Sequence, residues 1–117
     1  MVTLYGYKKC STCRKAELAL SKAGVAYTFV DITEHPPSAA TLKTVAQQAG
    51  RELTKMFNTS GVVYREQNIK AKLAAMTEAD KLKMLAAEGR LIKRPIVTDG
   101  QTSTVGFDEA EFKRAWR

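Results

Sequence analysis

The sequence predicts an α/β fold with a small mixed sheet, in which a βαβ unit and a ββα unit are separated by a helical insertion. Residues 1–35 alternate between strand-like and helical patterns, and residues 90–117 contain two strand-like runs before a helical one. Between them the chain is mostly helical in periodicity. We therefore expect one domain of 117 residues, with a core of 1–35 and 90–117 and an insertion at about 38–89.

The first unit is predicted to contain a strand at 2–5, a helix from 11 or 12 to 23, and a second strand at 25–32. Small apolar residues fall on one face of the helix, and Gly24 follows where a left-handed cap belongs. The second strand is rich in aromatic and β-branched residues. Two strands joined by one helix at this spacing run parallel, with a right-handed crossover.

Three helices are predicted in the insertion, each begun by a side chain that can accept a hydrogen bond at the helix start. These N-caps are Ser38, Asn68 and Thr77. Gly50 and Gly89 are predicted to end the first and the last of the helices, and residues 58–61 to form a turn or loop. Thr77 and Asp80 resemble a capping box, with Asp in place of the usual Glu.

The last unit is predicted to be a hairpin followed by a helix. Pro95 opens the first strand, Asp99-Gly100 is a strong hairpin signal, and residues 102–107 form the partner strand. The final helix begins in a sequence similar to a capping box, and two large aromatic residues lie one turn apart on its face. These residues are Phe112 and Trp116.

The only two cysteines, Cys10 and Cys13, lie between the first strand and the first helix. One helical turn brings both thiols to the same side. A helix N-terminus favours a thiolate at Cys10, and Cys13 could then close a disulfide with it. A buried structural pair is the alternative, which the basic flanks at 8–9 and 14–15 disfavour. No metal site is predicted, because structural zinc usually needs four ligands and His35 is the only histidine.

The formal net charge of +7 admits nucleic acids, acidic protein surfaces and small anions as partners. The basic residues are scattered among acids and no nucleic-acid signature is visible, so we expect a solvated basic surface and no direct nucleic-acid binding. No apolar run approaches the roughly 18 residues of a membrane span, and the N-terminus lacks a signal-peptide pattern. We therefore expect a cytoplasmic protein, in which a CxxC is more often catalytic or sensing than structural.

Together these features resemble the ArsC/Spx family, whose members have a thioredoxin-like fold with a helical insertion. The resemblance spans essentially the whole chain. It depends on the stretches 7–15, 36–38, 57–61, 91–96 and 105–107. The stretch 57–61 is most similar to the uncharacterised small ArsC-like branch. Thioredoxin-like proteins carry a redox Cys at the start of the first helix and a proline at the start of the third strand, the places of Cys10 and Pro95 here.

The resemblance to arsenate reductases implies that Cys10 is the nucleophile. Arg94 is then expected to hold an anionic substrate and to favour the Cys10 thiolate. Cys13 is expected to be the resolving thiol, although the family's arsenate reductases do not require it. A cis Pro95 would hold backbone beside the thiol, where a substrate can pair with it.

Ser11 and Thr12 have two open interpretations. They either offer backbone N–H groups and hydroxyls to an anion at the helix start, or simply cap the helix. Two further arginines of the arsenate reductases match places near Asn58 and at 106–107, neither of which is basic here. Arg65 and Lys55 are candidates to replace them. The resemblance therefore predicts weak arsenate reduction at most.

The resemblance leaves two kinds of function open. The first is a thiol oxidoreductase of the arsenate-reductase-like type that acts on a small-molecule oxyanion or a protein thiol. It would have no bound cofactor and would be recycled by glutathione and glutaredoxin or by thioredoxin. The second is an Spx-type regulator, which uses its CxxC as an oxidation switch and binds the C-terminal domain of the RNA polymerase α subunit. We take the first as the prediction and the second as its alternative.

Overall fold

Four strands form one mixed sheet in the computed structural model, which describes residues 1–116. They are β1 (Val2–Gly6), β2 (Tyr27–Asp31), β3 (Ile96–Thr98) and β4 (Ser103–Val105). The order is β2-β1-β3-β4, with β1 parallel to β2 and with β3 antiparallel to both β1 and β4. The predicted βαβ and ββα units therefore share one sheet, and the α/β, thioredoxin-like prediction is confirmed.

Within residues 1–116, six α-helices pack around this sheet. They are α1 (Ser11–Lys22), α2 (Ala39–Ala49), α3 (Val62–Glu66), α4 (Ile69–Leu73), α5 (Glu78–Ala87) and α6 (Glu109–Ala115). Two short 3₁₀ turns, Leu53–Met56 and Gly89–Leu91, lie between α2 and α3 and between α5 and β3. No helix in the described part of the chain is long and apolar enough to cross a membrane.

The two faces of the sheet support separate apolar clusters, because successive strand side chains point to opposite faces. Leu4 and Val97 pack with the apolar residues of α1 and α6 on one face. Ile96 and Val105 pack with the helices between β2 and β3 on the other. The strand register places the end of β1, from which the loop leads into α1, at the same end of the sheet as the start of β3 and the end of β4.

Side-chain caps fix most of the helix starts where the sequence predicts them. The Ser38 hydroxyl accepts from the Thr41 N–H at 3.1 Å. Thr77 and Asp80 form a complete capping box, with both hydrogen bonds at 3.1 Å. Each such cap stabilises a helix by about 1 kcal/mol because it satisfies a backbone donor that the helix cannot.

Several predicted boundaries differ from those observed. The second strand begins at Tyr27 because the Val25 N–H is still bonded to the Leu20 carbonyl of α1. The fourth strand ends at Val105 because Gly106 turns the chain with a φ of +77°. Asn68 does not cap α4. It adopts a left-handed conformation, with φ 51°, and its side chain makes no cap hydrogen bond.

The middle of the chain contains two elements that the sequence does not predict. The 3₁₀ turn Leu53–Met56 and helix α3 are too short to produce a clear helical period. The end of α5 also differs from the prediction, since the helix stops at Ala87 and Gly89 begins a 3₁₀ turn. Gly89 is therefore not the helix cap that its position in the sequence suggests.

Candidate active site

Cys10 is the N-cap of α1, as its position after the first strand predicts. Its sulfur accepts from the Cys13 N–H at 3.4 Å. Its own N–H donates to the Tyr7 carbonyl at 3.1 Å, which closes the loop between β1 and α1. The half-buried sulfur therefore lies at the positive end of the α1 dipole, where a thiolate is stabilised.

Cys13 lies one turn into α1 and is fully buried. Its sulfur accepts from the Tyr7 N–H at 3.5 Å. A Cβ on Gly6 would lie only 2.9 Å from this sulfur, so the glycine makes room for the thiol. In the sequence alone, Gly6 marks only the end of a strand.

The two thiols have opposite pKa shifts. Burial alone would raise the pKa of Cys10, but the N–H and thiol of Cys13 and the Arg94 guanidinium together lower it below the ordinary 9.0. Burial raises the pKa of Cys13 to about 12, and the neighbouring Cys10 adds to the increase. At any given pH the thiolate fraction of Cys10 is therefore larger than that of Cys13.

Arg94 is held beside this pair from the start of β3. Its Cζ lies 5.4 Å from the centroid of the Tyr7 ring, within the range of a cation–π contact. The Arg94-Pro95 peptide bond is cis, as the sequence predicts. Tyr7 thus contacts all three residues. Its N–H donates to the Cys13 sulfur, its carbonyl accepts from the Cys10 N–H, and its ring lies beside the Arg94 guanidinium. Sequence reasoning assigns no role to it.

The segment that carries Arg94 is fixed by the helical region. The Lys93 N–H donates to the Met56 carbonyl at 2.7 Å, and the Asn58 N–H donates to the Leu91 carbonyl at 2.7 Å. Phe57 and Ile92 form an antiparallel bridge between these two hydrogen bonds. The stretch 57–61 therefore buttresses the site through its backbone.

Ser11 and Thr12 form the first turn of α1, directly after Cys10. Ser11 is exposed and Thr12 is half-buried. Their N–H groups lie among the first four of the helix, which have no intrahelical acceptor. Their role toward an anion stays a prediction.

Arg51, which the sequence does not single out, brings a cation to the end of β4. Arg65, a candidate to replace the missing arginines, lies in a cleft lined also by Thr59, Tyr64, Asn68 and Lys70. Arg51, just after α2, instead donates from Nη2 to the Val105 carbonyl at 3.0 Å, and the Lys93 side chain packs beside Gly106. Arg51 is 54 residues from Val105 in sequence, and no local pattern could have paired them.

Among residues 1–116 there is no group of three or more His, Cys, Asp or Glu side chains that could hold a metal ion. The site is built from two thiols, one guanidinium, the first turn of α1 and the backbone around Pro95. These groups suit nucleophilic chemistry by a thiolate on an anionic or disulfide-containing substrate.

Comparisons with known proteins agree with this arrangement. A model described as the ArsC family matches residues 5–115. Over 115 residues, 98% of each chain, the protein is 48% identical to Uncharacterized protein YusI of Bacillus subtilis (strain 168). It is 30% identical over 114 residues to Global transcriptional regulator Spx 1 of Bacillus cereus, covering 97% of this chain and 86% of that one. A structure described as a possible arsenate reductase from Streptococcus mutans UA159 matches with a TM-score of 0.84 and 38% identity, covering 92% of this chain and 91% of that chain.

Proposed function

The chain belongs to the ArsC family, and we propose that it is a thiol-dependent oxidoreductase. Cys10 is the nucleophile and Cys13 resolves through a reversible disulfide. The observation that carries the proposal is the contrast between the two thiols in burial and in pKa. Cys10 is half-buried with a lowered pKa, whereas Cys13 is fully buried with a pKa of about 12.

The proposed cycle begins when the Cys10 thiolate attacks one sulfur of a substrate disulfide. The substrate S–S bond breaks, one thiolate leaves, and a mixed disulfide with Cys10 forms. Cys13 then loses its proton and attacks the Cys10 sulfur. The mixed disulfide breaks, the Cys10–Cys13 disulfide forms, and the second half of the substrate takes up the proton and leaves as a thiol. The substrate gains two electrons, and an external reductant, glutathione with glutaredoxin or thioredoxin, returns two electrons to the Cys10–Cys13 disulfide.

The high pKa of Cys13 fits this order of events. Burial is its main cause, and the nearby Cys10 sulfur contributes as a hydrogen-bonding group and as a charge. Once Cys10 is part of a mixed disulfide, its charge is gone and the Cys13 thiolate becomes easier to form. Cys13 thus stays protonated until Cys10 has formed the mixed disulfide. The proposal keeps the expected cytoplasmic location, because recycling by thioredoxin or glutaredoxin needs a reducing compartment.

Mild peroxide followed by mass spectrometry of free thiols tests the proposal. We expect both thiols to disappear as an intramolecular disulfide forms, and to return when thioredoxin or glutaredoxin with its reductant is added. Cys13→Ser is the matched control, since it keeps the nucleophile but cannot close the disulfide. Two thiols that stay free, or a disulfide that neither reductant reopens, would contradict the dithiol cycle.

Arsenate reduction is expected to be weak at most. Only Arg94 matches one of the three arginines of the arsenate reductases, and a charge-assisted hydrogen bond is worth about 1.5 to 3 kcal/mol. Each missing arginine therefore costs about one to two powers of ten in binding. A glutaredoxin-coupled assay beside a dedicated arsenate reductase measures this, with Arg94→Ala as the control. Comparable turnover that Arg94→Ala abolishes would show that other cations have replaced the missing arginines.

A redox-sensing regulator is the second candidate, and one observation favours it. Proteins named as global transcriptional regulators of the Spx type match 97% of this chain at 25 to 30% identity. In that case the Cys10–Cys13 pair would act as a switch, and the partner would be the C-terminal domain of the RNA polymerase α subunit. Binding of the purified α subunit to the reduced and oxidised protein separates the two candidates. Tight binding in one redox state, without turnover of any disulfide, would favour the regulator.

A further inference from the structure

We propose that the groove between α1 and α6 is a docking site for an acidic amphipathic helix of a partner protein. The groove has a volume of about 560 Å³ and is lined by residues of both helices and by Phe107, which follows β4. Neither cysteine lines it, and Arg94 does not line it either. The proposal therefore goes beyond the thiol chemistry and concerns a second surface of the molecule.

Aromatic rings form one wall of this groove. The ring centroids of Phe107 and Phe112 lie 5.0 Å apart, and those of Phe112 and Trp116 lie 6.5 Å apart. Phe112 and Trp116 are buried against the sheet, which holds the rings in place. The groove is therefore a preformed apolar surface of the size that protein binding sites usually have.

Leu18 supplies an apolar side chain that the core of the domain does not use. It lines the groove and is 56% exposed. The buried residues Ala16 and Leu20 lie two positions before and after it, and residues two apart on a helix do not share a face. Leu18 is therefore directed away from the core, and only a partner could bury it.

The rim of the groove on the α1 side is basic. Lys15 and Lys22 line the groove, are exposed, and take part in none of the salt bridges found within residues 1–116. They are seven residues apart, which is about 10.5 Å along the helix axis, and Leu18 lies between them on the same face. On the α6 side, Lys113 is already paired with Glu109 at 3.1 Å. The free positive charge therefore lies at two points along α1.

The spacing of these charges distinguishes between the occupants that an apolar groove can accept. A second copy of the chain would bring two basic rims to one two-fold interface, where they repel each other. A fatty acid has one carboxylate and would leave the other lysine unpaired. An amphipathic helix presents an apolar stripe over two turns and can carry acids at both ends of it. Such a helix matches Leu18 and both lysines at once.

The test titrates isotope-labelled protein with two synthetic helical peptides and follows the amide NMR shifts. Both peptides have about 18 residues, long enough for an isolated helix, and the same leucine stripe. Glutamates flank the stripe in one peptide and lysines flank it in the other. We expect the acidic peptide to shift the amides of α1 and α6 and to bind about tenfold more tightly, because two ion pairs replace two like-charge contacts. Salt should weaken its binding.

Three variants locate the interaction. Lys15→Glu with Lys22→Glu should reverse the preference, so that the basic peptide binds more tightly. Lys43→Glu with Lys55→Glu is the charge-matched control at exposed lysines outside the groove, and it should keep the wild-type preference. Leu18→Gln should weaken binding of the acidic peptide about tenfold, because the leucine is buried only in the complex. Its Tm should stay near that of the wild type, since the residue is exposed.

The proposal is overturned if the acidic peptide does not bind, if both peptides bind equally, or if the shifted amides lie away from α1 and α6. It is also overturned if the Lys15 and Lys22 variant behaves like the control. A protein that dimerises by itself through Leu18 would assign the groove to a second copy, and laurate bound as tightly at the same amides would assign it to a small amphiphile. None of these outcomes affects the dithiol cycle, which thiol oxidation measures separately.

Discussion

Iodoacetamide is expected to alkylate Cys10 of the reduced protein at neutral pH and to leave Cys13 unmodified. The thiolate is the reacting species. With a pKa of about 12, the Cys13 thiol is ionised to only about one part in 10⁵ at pH 7. The pKa of Cys10 lies below 9.0, so its thiolate is at least about a thousandfold more abundant. Peptide mapping after brief labelling measures the difference directly.

The pH dependence of alkylation shows in which direction the pKa of each thiol is shifted. In Cys13→Ser, alkylation of Cys10 should reach half its maximum below pH 9.0. In Cys10→Ser, alkylation of Cys13 should rise only toward pH 12, and somewhat earlier than in the intact pair, because the Cys10 charge is gone. Arg94→Ala should move the Cys10 curve to higher pH, whereas Arg14→Ala, at an exposed position on α1, serves as the control. Faster labelling of Cys13 at neutral pH would reverse the roles assigned to the two thiols.

Those parts of the fold that depend on local chemistry could be predicted from the sequence. Ser38 and Thr77 begin helices because their hydroxyls accept hydrogen bonds from the N–H groups three residues later. A stretch of four residues is enough to predict such a cap. The apolar period of α2 and the Asp99-Gly100 turn are equally local. Asn68 shows the limit of this reasoning, because a residue that can cap a helix can also adopt a left-handed turn, and the packing of α3 against α4 decides between them.

The residues of the candidate site divide in the same way, into those that a local pattern predicts and those that only tertiary contacts bring together. Cys10, Cys13 and Pro95 could be located because one helical turn or one strand start fixes each of them. Tyr7 and Arg51 could not, since each acts through a contact that the sheet creates. The Tyr7 ring meets Arg94 only when β1 and β3 pair, and Arg51 meets Val105 only when α2 packs on β4. A search for local motifs therefore finds the cysteine pair and misses the residues that surround it.

Gly89→Ala is expected to lower the free energy of unfolding by about 3 kcal/mol, the upper end of the usual cost of overpacking. A Cβ at this position would lie 1.9 Å from the backbone carbonyl oxygen of Ile32 and 2.7 Å from its carbon. Because the obstacle is backbone rather than a flexible side chain, either the 3₁₀ turn Gly89–Leu91 or the chain directly after β2 must move. At an unfolding entropy of about 2.1 cal/mol/K per residue, this loss corresponds to about 12 °C in Tm for a chain of 117 residues.

Urea unfolding followed by the fluorescence of Trp116, the single and buried tryptophan, measures this loss. Gly24→Ala is the matched control, since that glycine has a φ of +73° and nothing lies within 4 Å of the place that a Cβ would occupy. It should cost only the left-handed backbone penalty of about 1 to 2 kcal/mol. Equal losses in the two variants would mean that Gly89 acts as an ordinary helix end, as its sequence suggests. A larger loss in Gly89→Ala would support the close approach of this 3₁₀ turn to the Ile32 backbone as the cause of the loss.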